Sequence, residues 1–288
     1  MQRKQIMAKE KTPATEVAIV PAAALAVVDT SMFAQDAGQG MEGAGQEAFA
    51  IPFLSVLQKG SPTVDEAMPT HVEGHKAGMF YENVTNTVMD GKKGVTIVPC
   101  AYRREFLRWG PKDSGGGFKG SFAPEAVADM RAKGQIVELD GQLYAPAEDG
   151  SVSDKKSDKF RDTRAHYVLI VDNETGAWKE ALLSLTSTQI KKSKMLMSAL
   201  ASVKLRNAAG ALFTPPTFSN FVKVSTLGES NDKGSWFGVK FELAGSVDRP
   251  ELYAAAKAFH ANVAKGAVDV KYEAASDEPA SAGAAEGF

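Results

Sequence analysis

The sequence predicts a mainly β protein with helices, of the α+β class, carried between two disordered arms. Three observations predict it. Short runs rich in Val, Ile, Phe and Tyr recur along the middle of the chain, separated by Gly, Asp, Asn and Pro turn signals. The apolar period changes to a helical one from Ser187 to about Arg206, and two further strand-like runs follow. Both ends are rich in Ala, Gly and small polar residues, a composition that builds no core.

Composition sets the bounds. A chain of 288 residues allows one large domain or two modest ones, and 44% hydrophobic with 24% charged residues is ordinary for a globular protein. The formal net charge of −2 excludes a uniformly basic coat, so any nucleic-acid site must come from local segregation of charge. The one cysteine, Cys100, excludes an intramolecular disulfide and a multi-cysteine zinc site. No run is long enough to span a bilayer. Arg3, Lys4, Lys9 and Lys11 precede the apolar residues 17–28 in the order of a signal peptide. Glu10 and Glu16 interrupt the basic part and Pro21 the apolar part, so a cytoplasmic protein is expected.

In chain order, residues 1–48 read as a flexible arm, with no Lys or Arg between Lys11 and Lys59. The first ordered element is residues 51–62, IPFLSVLQKGSP, bounded by Pro52 and the turn Gly60-Ser61-Pro62. Residues 79–88 alternate enough for a strand, and Asp90-Gly91 turns the chain into the β-branched run at Val95. After Gly115-Gly116-Gly117, Pro124 and Gly134 bracket a short helix. Residues 135–146 form a hairpin on Asp140-Gly141, and residues 148–164 mix both charge signs like a solvated loop. Two strands follow, joined at residues 172–176. Then come the helix, the strands at 218–227 and 235–243, and a last helix from Arg249 to Lys265 with Pro250 at its start. The domain reading is therefore a β-rich body at 49–247, a helix at 248–266 and an acidic tail at 267–288. Three strands, a helix and two strands is the element order of the five-stranded Greek-key barrel called the OB-fold, and an OB-like barrel is the predicted architecture.

The central strand carries the chemistry. If it continues past Pro99, alternation puts Tyr102, Arg104, Phe106 and Arg108 on one face. Rings alternating with guanidiniums suit the stacking of bases and the holding of phosphates. The same pattern also fits a solvated edge strand whose arginines pair with carboxylates elsewhere. A second signal is charge segregation. From Ala181 to Gly228 there is no Asp or Glu, while Lys191, Lys192, Lys194, Lys204, Arg206 and Lys223 are present. Such a patch favours a phosphate backbone, though lysines that only keep a helix soluble would look alike. Third, Trp236 and Lys240 flank Gly238 on one face of the last strand, and Phe221 with Lys223 repeats the pairing on the strand before. A Trp236 half-buried at a barrel rim is the plainer account.

After Lys271 only acidic charges remain, and the chain ends in Phe288, a candidate docking residue. Catalytic patterns are weaker. His71 and His75 flank Glu73 in a Gly/Pro-punctuated loop without metalloprotease spacing, and the glycine run lacks the Lys-Ser/Thr of a phosphate-binding loop. No nucleophile elbow or carboxylate cluster for two-metal chemistry is present. No enzyme, cofactor or metal is expected.

These stretches together — IPFLSVLQKGSP, GMFYENVT, GVTIVPCAYRREFLRWGP with SGGGF, and STLGESNDKGSWFGVKFEL — resemble a family of tailed-bacteriophage proteins described as single-stranded DNA-binding proteins. The resemblance covers about residues 51–243. It implies single-stranded DNA as partner, a role in replication or recombination, the host cytoplasm as location, and replication proteins as partners of the tail. A strand-annealing protein is the nearest functional neighbour. A structural virion or scaffold protein without nucleic acid is the alternative from another class.

Overall fold

A computed structural model describes residues 31–44, 48–111, 116–232, 234–268, 270 and 272. Of the predicted arm at 1–48 and tail at 267–288, residues 1–30 and 273–288, including Phe288, lie outside the described residues. Contacts divide the chain into two units, 1–44 and 45–288. In the first, the described part is a single helical turn, α1 (Ser31–Ala34), followed by turns.

The second unit begins with β1 (Leu54–Val56), β2 (Phe80–Glu82) and β3 (Thr87–Met89), a small antiparallel sheet. There follow β4 (Val95–Trp109), β5 (Phe118–Phe122), α2 (Pro124–Ala132), β6 (Val137–Leu139) and β7 (Gln142–Ala145). The long β8 (Asp158–Val171) and β9 (Trp178–Thr186) lead through a 3₁₀ turn at Ser187–Gln189 into α3 (Ile190–Ser202). A two-stranded hairpin, β10 (Leu205–Arg206) and β11 (Leu212–Phe213), precedes β12 (Asn220–Asn231), β13 (Gly234–Ser246) and α4 (Pro250–Ala264). The unit is mainly β. Its eight-stranded antiparallel sheet runs β13-β12-β4-β8-β7-β6, with β5 added to β4 and β9 to β8, and curls into a half-barrel.

β4 and β8 are long enough to have different neighbours at their two ends. At one end the order is β13-β12-β4-β8-β9, and at the other β5-β4-β8-β7-β6. Residues 101–105 of β4 lie between the reaches of β12 and β5 and pair with β8 alone.

Pro99 stands inside this central strand, where it has no N–H to give a ladder. A bulge at Cys100 absorbs it: Pro99 is opposite Val168 and Ala101 opposite Tyr167. The extra residue shifts the phase, so Tyr102 continues the face of Val95 and Ile97 instead of the opposite one. That face is concave. Val95, Ile97, Val168, Ile170, Val222 and Val224 are packed there beneath Leu196 and Leu200 of α3. On the reverse face Val98, Cys100, Tyr167 and Leu169 meet Leu252, Ala256, Phe259 and Val263, the buried stripe of α4. Each such buried Leu or Phe contributes roughly 1.5–3 kcal/mol. A third cluster, Phe106, Val127, Ile136 and Phe160, puts α2 over the far end of the concave face.

Most predicted elements have their counterparts. Asp140 and Gly141 have φ of +50° and +77°, the pair of left-handed residues a tight hairpin turn requires. Pro124 and Pro250 open α2 and α4. Three readings need correction. The run at 79–88 is a hairpin of two strands, turning at Asn86 with φ +53°. The supposed loop at 148–164 is strand from Asp158, because its charges pair across to β4. Finally, the helical run read from Ser187 to about Arg206 is shorter: it opens as a 3₁₀ turn, α3 ends at Ser202, and Leu205 and Arg206 are strand.

Candidate nucleic-acid interface

The register of β4 against β8 builds the candidate site. Tyr102 is opposite His166, Arg104 opposite Arg164, Phe106 opposite Asp162 and Arg108 opposite Phe160. All eight therefore share the concave face. Between α3 and α2 that face is open at Tyr102 and Arg104, where the tyrosine is 39% and the arginine side chain 44% exposed.

His166 is buried beneath this opening. Its ring lies 5.2 Å from that of Tyr102 and 6.4 Å from Phe241, and its Nε2 is 2.8 Å from Oγ of Ser193 on α3. Burial, with Arg164 nearby, pushes its pKa down to about 4, so the imidazole is neutral at physiological pH. The bond to Ser193 fixes α3 beside the site. Lys191 and Lys194, one turn apart, are exposed on that helix.

Two carboxylates organise the cations. Asp162 accepts Arg104 through Nε at 3.2 Å and Nη2 at 2.9 Å, and Nη2 of Arg164 at 3.1 Å. Asp158 takes Arg108 at 2.6 Å and Lys119 at 2.7 Å. Burial opposes ionisation of Asp158, yet the bonds from Lys119 and Arg108 hold its carboxyl below the usual carboxylate range. Hydrogen bonding to Asp162 likewise raises the Arg104 pKa. Four cations meet two carboxylates, so each cluster keeps one positive charge in excess. The Nε of Arg164 is buried and has no hydrogen-bond partner among the described residues. A cleft of about 230 Å³ opens next to these groups, lined by Arg104, Phe106, Arg131, Leu143, Phe160 and Asp162.

The sequence-predicted residues do not form one groove. Tyr102, Arg104, Phe106 and Arg108 share the concave face, but Phe106 is only 7% exposed, with the Arg104 guanidinium 5.1 Å above its ring. Packed under α2 and covered by that cation, Phe106 has no face to offer a base. Phe221, Lys223, Trp236 and Lys240 lie on the reverse face. Lys223 is level with Thr96, not with Ile97, and Trp236 and Lys240 follow its phase on β13. Phe221 packs against the α4 side of the core. Lys223 is exposed, and Lys240 is held to Glu242 at 3.0 Å. Trp236 donates Nε1 to Glu229 at 2.9 Å, and Glu229 also holds Lys192 at 2.8 Å. The space over Gly238, between Trp236 and Lys240, is filled: a Cβ there would come within 2.5 Å of Glu229 Oε2. Trp236 and Lys192 thus brace hairpin to helix through Glu229.

Sequence reasoning missed Arg164, Asp162 and Asp158. Their signal was present as the even spacing of Asp158, Phe160, Asp162, Arg164 and His166 leading into an apolar strand. The mixed charge masked it.

The family model of the Pam3 phage gp34-like protein matches residues 21–269. The chain belongs to that family. The bacteriophage part of the resemblance therefore stands, while the description of the gp34-like family names no ligand. No curated protein and no solved structure matches the chain. Among the described residues, no group of three or more His, Cys, Asp or Glu is placed to hold a metal, and no helix is long and apolar enough to cross a membrane.

Proposed function

We propose that this gp34-like protein binds single-stranded DNA without sequence preference, as a non-enzymatic component of phage replication or recombination in the host cytoplasm. One observation carries the reading: an exposed Tyr102 beside Arg104, next to ion pairs in which four cations share two carboxylates. Stacking on an aromatic side chain is worth ~1–3 kcal/mol per base and is indifferent to sequence. Excess guanidinium charge serves any phosphate backbone. The strand would run along the concave face, from Lys191 and Lys194 on α3 past Tyr102 to Arg104, Arg164, Arg108 and Lys119.

The architecture supports the same reading. With β4, β8, β9, β12 and β13 as five strands and α3 between the third and fourth, the first strand is central and the order is 3-2-1-4-5. That order suits an OB-like barrel left open between its third and fifth strands. In this chain α3 lies in that gap, with Gln189 Oε1 accepting the N–H of Val239 at 3.0 Å.

Gel shifts of labelled single- and double-stranded DNA at two salt concentrations test the proposal. Preferential retardation of the single strand, weakening with salt, is expected. Equal or absent retardation overturns it.

A further inference from the structure

Residues 204–214 form a projecting hairpin in which every residue is exposed. Leu205 pairs with Phe213 and Arg206 with Leu212, so one side presents Leu205 and Phe213 and the other Arg206 and Leu212. Three large apolar side chains, 39%, 60% and 42% exposed at Leu205, Leu212 and Phe213, stand on a two-stranded element that is marginal in water on its own. Something covers it in use.

The charges say what. The hairpin lies in the acid-free window 181–228. Lys204 Nζ donates to the carbonyl of Ala201 at 3.3 Å and to the Thr214 hydroxyl, and Arg206 Nη1 donates to the carbonyl of Gly210 at 2.8 Å. Among the described residues these acceptors are all neutral, whereas Arg104, Arg108 and Arg164 are each held to a carboxylate. The hairpin therefore keeps both its charges for a polyanion. A second copy docking through the same hairpin would bring four cations together with no counter-charge.

We propose that this hairpin is an arm that takes the DNA strand beyond the sheet, with Lys204 and Arg206 on phosphates and Leu212, on the same side as Arg206, against a base. The proposal rests on the reading that the ligand is single-stranded DNA. To test it, the full chain carrying Lys204→Ala and Arg206→Ala is titrated with oligo-dT over a salt series beside the wild type. The slope of log affinity against log salt flattens by about 1.4, two phosphates at about 0.7 each. In parallel, Leu212→Trp, on the Arg206 side, adds fluorescence that oligo-dT quenches beyond the wild-type change. An unaltered slope with no added quenching overturns the arm and leaves binding by the sheet intact. A wild-type chain that binds no oligo-dT at low salt overturns both readings. A DNA-free dimer that Phe213→Ser dissociates in sedimentation makes the occupant a second copy, and the arm proposal falls.

Discussion

Arg104 and Arg164 stand opposite each other on β4 and β8 and hold the same carboxylate oxygen, their Nη2 atoms 2.9 and 3.1 Å from Oδ2 of Asp162. Arg104 is open to solvent and Arg164 is buried. Asp162 therefore serves two ends, keeping a buried charge paired while leaving the surface positive. Asp162→Asn is expected to destabilise the fold by about 3 kcal/mol, since Arg164 is left as a buried, unpaired cation. It also frees Arg104, so the salt dependence of DNA binding steepens. Urea unfolding and oligonucleotide titration of the same variant check both. Unchanged stability contradicts the shared pairing.

Tyr102 and Phe106 are two positions apart on one face but differ in exposure, 39% against 7%. Tyr102→Ala is expected to weaken DNA binding by ~1–3 kcal/mol with little change in stability. Phe106→Ala opens the core under α2 and lowers stability by ~3–5 kcal/mol. Thermal melts and affinities of the pair separate ligand contact from packing.

His166 makes stability depend on pH. Its folded pKa, about 4, is below the ordinary 6.5, so the unfolded chain takes up a proton first. The stabilisation is present above pH 6.5 and is lost as the pH falls from there toward 4, by roughly 3 kcal/mol at 1.36 kcal/mol per unit. Denaturant unfolding from pH 7 to 4.5 is expected to show that decline, and His166→Gln to remove most of it.

How much of this was legible in the sequence differs by element. The apolar start of β4, the Asp140-Gly141 turn and the proline-led helices announce themselves locally, because their causes lie within a few residues. The strand character of residues 158–164 did not. Asp158 and Asp162 are strand residues because Arg108 and Arg104 wait across the ladder, and a cross-strand partner is invisible to a window moved along the chain. Alternation put Tyr102 to Arg108 together. It could not say that Lys223 and Trp236 lie on the other side of the same sheet, since that depends on register with Thr96. The bulge at Cys100 adds a further phase shift.

Gln58 guards the outer edge of β13. Its amide accepts the N–H of Phe237 at 2.8 Å and donates to the Phe237 carbonyl at 2.9 Å, blocking an edge that would otherwise pair with another chain. Gln58→Ala is expected to lose about 2 kcal/mol of stability and to gain concentration-dependent association. Sedimentation at several protein concentrations checks the second effect, and a strictly monomeric variant contradicts the guarding role.

The central claim is that the concave face of β4 and β8 takes an unpaired strand on Tyr102 and Arg104. Titration of the full chain with oligo-dT, wild type beside Tyr102→Ala and Arg104→Ala, tests it most directly. Wild-type binding that weakens with salt is expected, with Tyr102→Ala losing affinity at a constant salt slope and Arg104→Ala flattening the slope by about 0.7. Binding that neither substitution alters, or no binding at low salt, contradicts the account.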